Sequence, residues 1–464
     1  MLSQNCRCLQ GARSWQSQPR LQKSKPVPTA AHEAESSTSL TTQHQGEGTK
    51  MPSKFRKILA AATCILTMAT MSVSAAETQL TFPTYAWTDP LDGAYLGALV
   101  SDFESKHSDV KVNRIPIPFS NMADKLFLDV TSGKAPDFVT LFDVDVSKYI
   151  QEGLLEPLDS YLEQAGVNPN EFADAAHQGM KDGHVFAVVN SINPRALFYN
   201  SDIFNKLGLK VPQTEEQFLD VARKIKSSGL VRFPLVQYAK PGDANTLFIR
   251  LAPILAAFDA AIYRDGKPAA DDPRVVRAFA FYKKLYDEGL IPRGMDAQLA
   301  EKMFAEGKAA MILNGSYFAG VVKETNGEVF KSLRSTSLHF EGDRATSVSV
   351  FIGVPKGAPH KELAAQMLML MLTKEWQNRV VTDVAAIPAR KDMMPADFVH
   401  DNQWFSAFAE AGPKAHSYAP EGAEQIAPEV VKATATKVEA MLFQGVSPEQ
   451  TAKELQESLL ALKP

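Results

Sequence analysis

Hydrophobic and polar positions follow two alternating patterns along the chain from Thr78 onward. Short apolar runs, which are typical of strands, take turns with longer segments whose apolar residues recur at helical spacing. This alternation predicts an α/β protein with a mostly parallel sheet and helices on both faces. In the first part of the chain, the predicted strands are 79–87, 109–119 and 136–142, and the predicted helices are 93–107, 121–134 and 146–154.

The second part of the chain repeats this order with longer helices. A strand hairpin or one long crossing segment is predicted at 183–200. The helix predicted at 214–229 has Thr214 in the N-cap position and ends at Gly229. Further strands are predicted at 233–238, 308–314 and 348–357, and further helices at 273–289, 297–307 and 360–383, with two more in 427–462 that separate at Gly445–Pro448.

A different pattern precedes the first of these strands. Lys54, Arg56 and Lys57 stand before an apolar run of about 14 residues, and small residues follow that run. A membrane-spanning helix needs about 20 apolar residues. We therefore interpret 51–76 as a cleaved secretory signal peptide rather than a membrane anchor, and we expect the protein in the periplasm.

The segment 1–50 lies in front of this signal peptide. It is polar, rich in Ser, Gln and Thr, and shows no hydrophobic periodicity, which predicts disorder. We expect Met51 to be the true start and the preceding residues to be an over-extended reading frame. A genuine cytoplasmic tail is the alternative interpretation.

The three cysteines, Cys6, Cys8 and Cys64, all precede the predicted cleavage site. The mature protein is therefore expected to contain no disulfide and no thiolate metal site. A lipoprotein signal ends just before a cysteine, but here the apolar run continues past Cys64. Lipidation is thus the weaker alternative to simple cleavage.

Charge and length narrow the class of protein further. The formal net charge is −4 for the whole sequence and about −10 once the first 76 residues are removed. Such an acidic chain is a poor candidate for nucleic acid, whose binding depends on basic patches. About 388 residues remain after cleavage, which is more than one hydrophobic core usually organises, so two domains are expected.

Sequence signatures of enzymes are missing. The chain has no phosphate-binding loop and no paired-histidine metal motif, and Gly315-Ser316 continues in a way that does not match a nucleophile elbow. The histidines are scattered, and no pair of carboxylates can be assigned as acid and base from the sequence. We therefore predict no catalytic residue, no metal and no cofactor.

Aromatic and polar residues instead gather at the ends of predicted strands. In doubly wound sheets, ligands bind outside the carboxyl ends of the strands. Aromatic faces stack on sugar rings, while carboxylates and amides bind the hydroxyl groups, although single aromatics can equally fill core gaps. The predicted ligand-binding residues are Tyr85, Trp87, Phe142, Asp143, Asp145, Asn190, Asn193, Tyr238, Ser316, Tyr317, Phe351 and Arg390.

Five segments, in order, resemble the extracellular solute-binding proteins of sugar ABC importers, the family that includes maltose-binding protein. GKAPDFVTLFDVDVSKYIQEGLLEPLD resembles the block "G-x-PD … G-L-L-x-P-L-D", and GHVFAVVNSINPRALFYN is similar to the block ending in "l-x-Y-N". FAEGKAAMILNGSYFAG resembles "F-x-x-G-k-a-A-M-x-x-x-G-x-W", with Tyr317 where the family often has a stacking tryptophan. AAIPARKD and FQGVSPEQTAKEL resemble the last two blocks.

The resemblance implies two doubly wound lobes that are joined by crossing strands and close over a ligand as a hinge. The lobes would comprise 77–197 with 350–390, and 198–349 with 391–464. The implied function is to capture a sugar, from a monosaccharide to an oligosaccharide, and to deliver it to the membrane permease subunits. The protein is expected to act as a monomer. The implied crossings are Arg195–Asn200, Ser347–Gly353 and Ile387–Lys391.

Other ligands and roles stay open at this point. Within the family, glycerol-3-phosphate or a phosphodiester, a polyol and a polyamine are the alternatives to a sugar. Phosphate needs cationic donors, and Arg390 is the one basic candidate that the sequence places in the cleft. Outside the family of importer subunits, a sensor subunit and a secreted carbohydrate-active enzyme are the remaining hypotheses.

Overall fold

The structure is a computed structural model that describes residues 77–237, 240–391 and 393–462. The strands are β1 (Thr78–Thr84), β2 (Val110–Pro116), β3 (Val139–Phe142), β4 (Met180–Lys181), β5 (His184–Val185), β6 (Ala187–Asn200), β7 (Phe233–Val236), β8 (Tyr263–Arg264), β9 (Lys267–Pro268), β10 (Ala309–Gly315), β11 (Leu333–Thr336), β12 (Ala345–Gly353) and β13 (Ala415–Ser417).

The helices of the N-terminal half are α1 (Pro90–Lys106), α2 (Phe119–Thr131), α3 (Asp143–Gln151), α4 (Asp159–Gln164), α5 (Ser201–Lys206), α6 (Glu215–Ser228) and α7 (Ala244–Ala257). Those of the C-terminal half are α8 (Pro273–Asp287), α9 (Ala297–Ala305), α10 (Phe318–Thr325), α11 (Gly327–Lys331), α12 (Lys361–Met371), α13 (Lys374–Val384), α14 (Phe398–Asp401), α15 (Ser406–Ala411), α16 (Ala427–Phe443) and α17 (Pro448–Leu460). No helix in the described ranges is both long and apolar enough to cross a membrane.

The long strand β6 pairs with different neighbours along its length. Its first half, up to Pro194, pairs antiparallel with β12. From Arg195 onward it pairs antiparallel with β10, and its last residues also pair with β11. All of its residues except Arg195 and Tyr199 are buried. One continuous strand therefore belongs to two different parts of the sheet.

The strand β12 has a similar double role. Its first residues, Ala345 to Ser347, pair parallel with β13, and its last residues, Val350 to Gly353, pair antiparallel with β3. The order of the resulting sheet is β13-β12-β6-β10-β7, with β11 and β3 attached to β6 and β12. The expectation of a mostly parallel sheet holds only for β1 with β2, β12 with β13 and β10 with β7, because the two long strands run antiparallel to each other.

Several helix ends are confirmed. The Thr214 side chain accepts a hydrogen bond from the Gln217 backbone N–H, and Gly229 ends α6 with a φ of +68°. Two helices do occupy 427–462. The segment 360–383 instead forms the two helices α12 and α13, because Thr373 has an extended backbone.

The helix α7 has no counterpart in the sequence-based prediction. Nearly all of its residues are buried, so it shows no amphipathic pattern, and Pro253 lies inside it. Both features hide a helix from periodicity arguments. This helix matters for the site because it carries the buried side chain of Arg250.

Candidate ligand-binding cleft

The carboxylate of Asp143 lies at the junction of β3, α3 and β12. Its Oδ2 accepts a hydrogen bond from the Ser349 backbone N–H at 2.5 Å, and its side chain is fully buried. Burial raises the pKa of Asp143 to about 7, although hydrogen bonds from the Ser349 N–H and the Ser417 hydroxyl act in the opposite direction. The end of β3 is thereby tied to the middle of β12.

Three aromatic rings form one wall beside this carboxylate. The Tyr85 ring stacks on Phe142 with centroids 5.8 Å apart, and Phe119 packs against both, at 5.5 Å and 5.2 Å. The Tyr85 hydroxyl donates a hydrogen bond to Asp92 Oδ2 at 2.9 Å. Burial, together with the charge of Asp89, raises the pKa of Asp92 to about 7. We call Tyr85, Phe119 and Phe142 the aromatic wall.

A polar network forms around Tyr317, where β10 ends and α10 begins. The Tyr317 hydroxyl lies 3.0 Å from Asn314 Oδ1 and 3.3 Å from Glu301 Oε1, and the Asn314 amide donates to the same Glu301 oxygen at 2.8 Å. Burial and the charge of Glu301 raise the pKa of Tyr317 to about 12. The phenol therefore stays protonated and can donate a hydrogen bond at neutral pH.

Two arginines converge on this network. Arg250 donates to the Leu313 carbonyl oxygen at 2.7 Å and to Asn314 Oδ1 at 3.1 Å, and its Nη2 lies 3.5 Å from Glu301 Oε1. Arg195 donates to the same Asn314 oxygen at 3.2 Å. The end of β10 is thus held by cationic side chains from α7 and β6.

Gly315 is required where these side chains meet. A Cβ atom at this position would lie 2.9 Å from the Arg195 guanidinium and 2.9 Å from the Tyr317 ring, which is closer than real Cβ atoms approach. The guanidinium of Arg195 and the ring of Tyr317 therefore lie next to each other over Gly315.

The Tyr317 network lies near the aromatic wall. Asp89 lies close enough to Tyr317 to raise the pKa of Tyr317. Tyr317 in turn lies close enough to Tyr85 to raise the pKa of Tyr85. Nearby, Leu91 on α1 packs against Gly320 on α10, where an added Cβ would lie 2.4 Å from Leu91 Cδ1. Residues distant in sequence thus come together in this region.

Tyr418 completes this arrangement, and the sequence analysis did not identify it. Its backbone N–H donates to the Ser347 carbonyl oxygen at 3.2 Å, and its hydroxyl donates to Asn245 Oδ1 at 3.3 Å. Burial, reinforced by the charge of Asp143, raises its pKa well above the usual range. The charge of Arg195 acts in the opposite direction on this pKa, so Tyr418 lies near both Asp143 and Arg195.

The structure brings five of the twelve predicted residues to this region. Tyr85, Phe142, Asp143 and Tyr317 lie as described above. Asp145 is in the first turn of α3, where it accepts a hydrogen bond from the Phe142 N–H at 3.4 Å, and burial raises its pKa to about 6.

Three predicted polar residues are buried at strand positions. Asn190 and Asn193 lie on β6, and Ser316 directly follows β10. Within the described part of the chain, the Oδ1 atoms of both asparagines and the Oγ of Ser316 have no hydrogen-bond partner. Because buried polar atoms are usually satisfied, these three atoms are available to a ligand or to water.

Three other predicted residues, Trp87, Phe351 and Arg390, have different surroundings. The Trp87 indole donates to the Phe82 carbonyl oxygen at 2.7 Å and packs against Arg114. Phe351 is fully buried on β12, where it pairs with Leu141 and Val189.

Arg390 lies in an ion pair with Glu171 at 2.5 Å and donates to the Leu372 carbonyl oxygen at 3.2 Å. The structure thus engages its guanidinium with protein partners rather than with the residues around Tyr317. Tyr238 lies outside the described residues.

Sequence reasoning missed Arg195, Arg250, Glu301 and Tyr418. One usable signal was present, since Arg250 is the single charged residue in the otherwise apolar segment 247–257. A charge in such a segment predicts a buried and paired side chain. No comparable signal marks Tyr418, whose role follows from its position after β13.

We expect the free energy of unfolding to fall as the pH rises from about 5 to about 7.5. The pKa of Asp143 in the folded protein, about 7, lies above its ordinary value of 3.8. The folded state therefore holds a proton that the unfolded chain releases, so this stabilisation is complete at acidic pH and is lost as the pH rises through about 7. Asp92 acts in the same direction.

Asp143→Asn tests this expectation, because an amide keeps an acceptor for the Ser349 N–H but does not titrate. We expect the fall in unfolding free energy between pH 5 and 7.5 to shrink by about 1–3 kcal/mol, as measured by urea titrations at several pH values. Asp220→Asn, at an exposed position, is the control. An unchanged slope in Asp143→Asn would contradict the assignment.

The fold is that of the type II periplasmic binding proteins. The GacH receptor of Streptomyces glaucescens, solved without ligand and with acarbose, superimposes with a TM-score of 0.74 at 21% identity, covering 83% of this chain and 100% of that one. UgpB from Mycobacterium tuberculosis, solved with glycerophosphocholine, superimposes with a TM-score of 0.71 at 17% identity, covering 82% and 97%.

The sequence places the chain within this class more narrowly. The profile of the bacterial extracellular solute-binding protein family matches residues 98–407, and the chain belongs to that family. A putative binding protein of Brucella abortus is 24% identical over 383 residues, which are 81% of this chain and 91% of that protein. The galactooligosaccharide-binding protein of Bacillus subtilis is 24% identical over 334 residues, 66% and 72% of the two chains.

Proposed function

We propose that this protein is the substrate-binding component of an ABC importer, and that it captures a sugar between the aromatic wall and the Tyr317 network. One observation carries the proposal: aromatic faces, buried acceptor oxygens and fixed donors converge on one region from elements far apart in sequence. This combination suits a ring with one apolar face and several hydroxyl groups.

The proposal includes the arrangement of the lobes. One lobe comprises 77–197 with 350–390, and the other comprises 198–349 with 391–464. The change of pairing partner within β6 and β12 supports a hinge at these strands. Ligand binding shifts the lobes toward a closed arrangement because the ligand contacts both of them.

The proposal also covers the setting in which the protein works. Export by the segment 51–76 brings it to the periplasm, where it acts as a monomer and delivers its cargo to the membrane permease subunits. The acidic mature chain is unsuited to nucleic acid.

A thermal-shift screen of the purified protein tests this function. The panel contains neutral monosaccharides and oligosaccharides, polyols, glycerol-3-phosphate and polyamines. A ligand at 100 times its Kd adds about 2.7 kcal/mol of stability, which gives a measurable rise in Tm. A rise with one class of sugar supports the proposal, whereas a rise with polyamines alone would overturn the sugar assignment.

Gly320→Phe is expected to weaken binding of the sugar found in that screen by about tenfold, because the added ring would separate Leu91 from α10 and disfavour the closed arrangement. Isothermal titration measures the affinity. Gly327→Phe is the matched control, since no atom lies within 4 Å of a Cβ at this exposed position. Equal affinity in the two variants would show that the contact of Leu91 with Gly320 plays no part in closure.

A further inference from the structure

Arg195 is a cation without a counter-charge in the described structure. Among the described residues, no carboxylate lies within ion-pair distance of its guanidinium, although other arginines such as Arg223 and Arg274 do form such pairs. Its neighbour Arg250 lies 3.5 Å from Glu301, so that carboxylate already pairs with another arginine. A cation in this position is costly unless something negative joins it.

The nearby aspartates offset this charge only weakly. Asp143 and Asp145 both lie close enough to Tyr418 to affect its pKa, as Arg195 does. Burial raises the pKa of Asp143 to about 7 and that of Asp145 to about 6. Both carboxyl groups therefore carry less negative charge near neutral pH than exposed aspartates do.

A small, partly open pocket lies beside Arg195, and its lining is basic. His339 and Arg344 line it together with Arg195, and none of its lining residues is acidic. The Arg344 guanidinium forms an ion pair with Glu421, with an N–O distance of 2.7 Å. The residues that line the pocket are therefore positive or neutral, although the charges of Asp343 and Glu410 act on the pKa of His339.

The lining residues also hold buried polar atoms that have no hydrogen-bond partner in the described part of the chain. These are Arg195 Nε, Ser337 Oγ, His339 Nδ1 and Thr346 Oγ1. An arginine N–H and two hydroxyls are donors, and an imidazole nitrogen is a donor in one of its tautomers. Several donors without a carboxylate are what an oxyanion needs.

We propose that Arg195, Ser337 and Thr346 bind an oxyanion, a carboxylate or a phosphate, that the ligand carries. The cargo is then an acidic sugar or a phosphorylated polyol rather than a neutral sugar. The rest of the ligand reaches Tyr317, whose ring lies beside the Arg195 guanidinium over Gly315. This inference rests on the proposed function, since it assigns the ligand class of the same site.

Matched ligand pairs test the inference. Isothermal titration compares galacturonate with galactose, glucuronate with glucose, and glycerol-3-phosphate with glycerol, so that each pair differs in the anionic group. We expect the anionic member to bind about ten- to a hundredfold more tightly in at least one pair. The sugar pairs and the glycerol pair distinguish a carboxylate from a phosphate.

Variants assign the effect to the pocket. Arg195→Gln is expected to reduce the ratio of acidic to neutral affinity by about tenfold or more, and Thr346→Val to reduce it by a smaller factor without removing a charge. If Arg195→Gln fails to fold, Thr346→Val still tests the oxyanion site. Arg232→Gln, at an exposed site near the opposite end of β10, should leave both affinities unchanged.

The outcomes separate this inference from the proposed function. Equal or tighter binding of the neutral members would overturn the oxyanion site and leave sugar capture intact. An anionic preference that both variants retain would place the oxyanion elsewhere and also overturn the inference. Absence of binding across these pairs would overturn the oxyanion site, and the proposed function would fall with it only if the thermal-shift screen also found no sugar.

Discussion

Tyr317→Ala is expected to abolish measurable sugar binding while the protein stays folded. The ring lies beside the Arg195 guanidinium over Gly315, and its hydroxyl belongs to the network with Asn314 and Glu301. Loss of a central aromatic in a binding site costs about 2–4 kcal/mol, which weakens the affinity by about thirtyfold to a thousandfold. Isothermal titration with the sugar found in the screen measures this loss, and circular dichroism checks the fold.

Two further variants make the result specific. Tyr317→Phe keeps the ring and removes only the hydroxyl, so it should retain part of the affinity. Tyr161→Ala removes a half-buried tyrosine on α4, outside the site, and should bind as the unmodified protein does. Normal binding by Tyr317→Ala would show that the ligand does not contact this ring.

Arg250→Met is expected to lower the free energy of unfolding by about 3–5 kcal/mol. The guanidinium is 5% exposed, donates to the Leu313 carbonyl oxygen and to Asn314, and lies near Glu301. Removing one partner of a buried ion pair leaves the other charge poorly compensated, and the Leu313 carbonyl loses this donor. Urea unfolding monitored by circular dichroism measures the change.

Arg223→Met is the matched control for this prediction. Arg223 forms an ion pair with Glu288 at 2.6 Å, but its side chain is 48% exposed. Exposed pairs contribute at most about 1 kcal/mol. The double variant Arg250→Met with Glu301→Gln should recover part of the lost unfolding free energy, because it also removes the charge of the carboxylate that loses Arg250 as its partner. If Arg250→Met and Arg223→Met lowered the unfolding free energy equally, the structural role of Arg250 would be contradicted.

Elements with clear local signals were predictable from the sequence. Thr214 and Gly229 mark the ends of α6 because a cap and a left-handed glycine are chemical requirements of helix ends. Tyr317 was identified by its position after an apolar strand, and it does lie at the end of β10. Such signals depend only on neighbouring residues in the sequence, so they can be recognised without knowing the tertiary structure.

Features that depend on distant contacts were not predictable in this way. The strand β12 is buried along its whole length, so no alternation shows which side chains, Phe351 among them, point to the site and which to the core. In the sequence, Arg195 is an ordinary charged residue within a strand pattern. Its lack of a counter-charge among the described residues becomes visible only in the structure. Tyr418 reaches the site through a pairing of β13 with β12 that joins residues about 70 positions apart.

The pairing of β6 with both β12 and β10 also affects thermal unfolding of the protein. A strand shared by two ladders cannot leave one of them without disturbing the other, because the same backbone carries both sets of hydrogen bonds. Chains of this size often unfold in separate domain-wise steps. Here the shared strand couples the two halves, so a single calorimetric peak whose van't Hoff and calorimetric enthalpies agree is the expected signature.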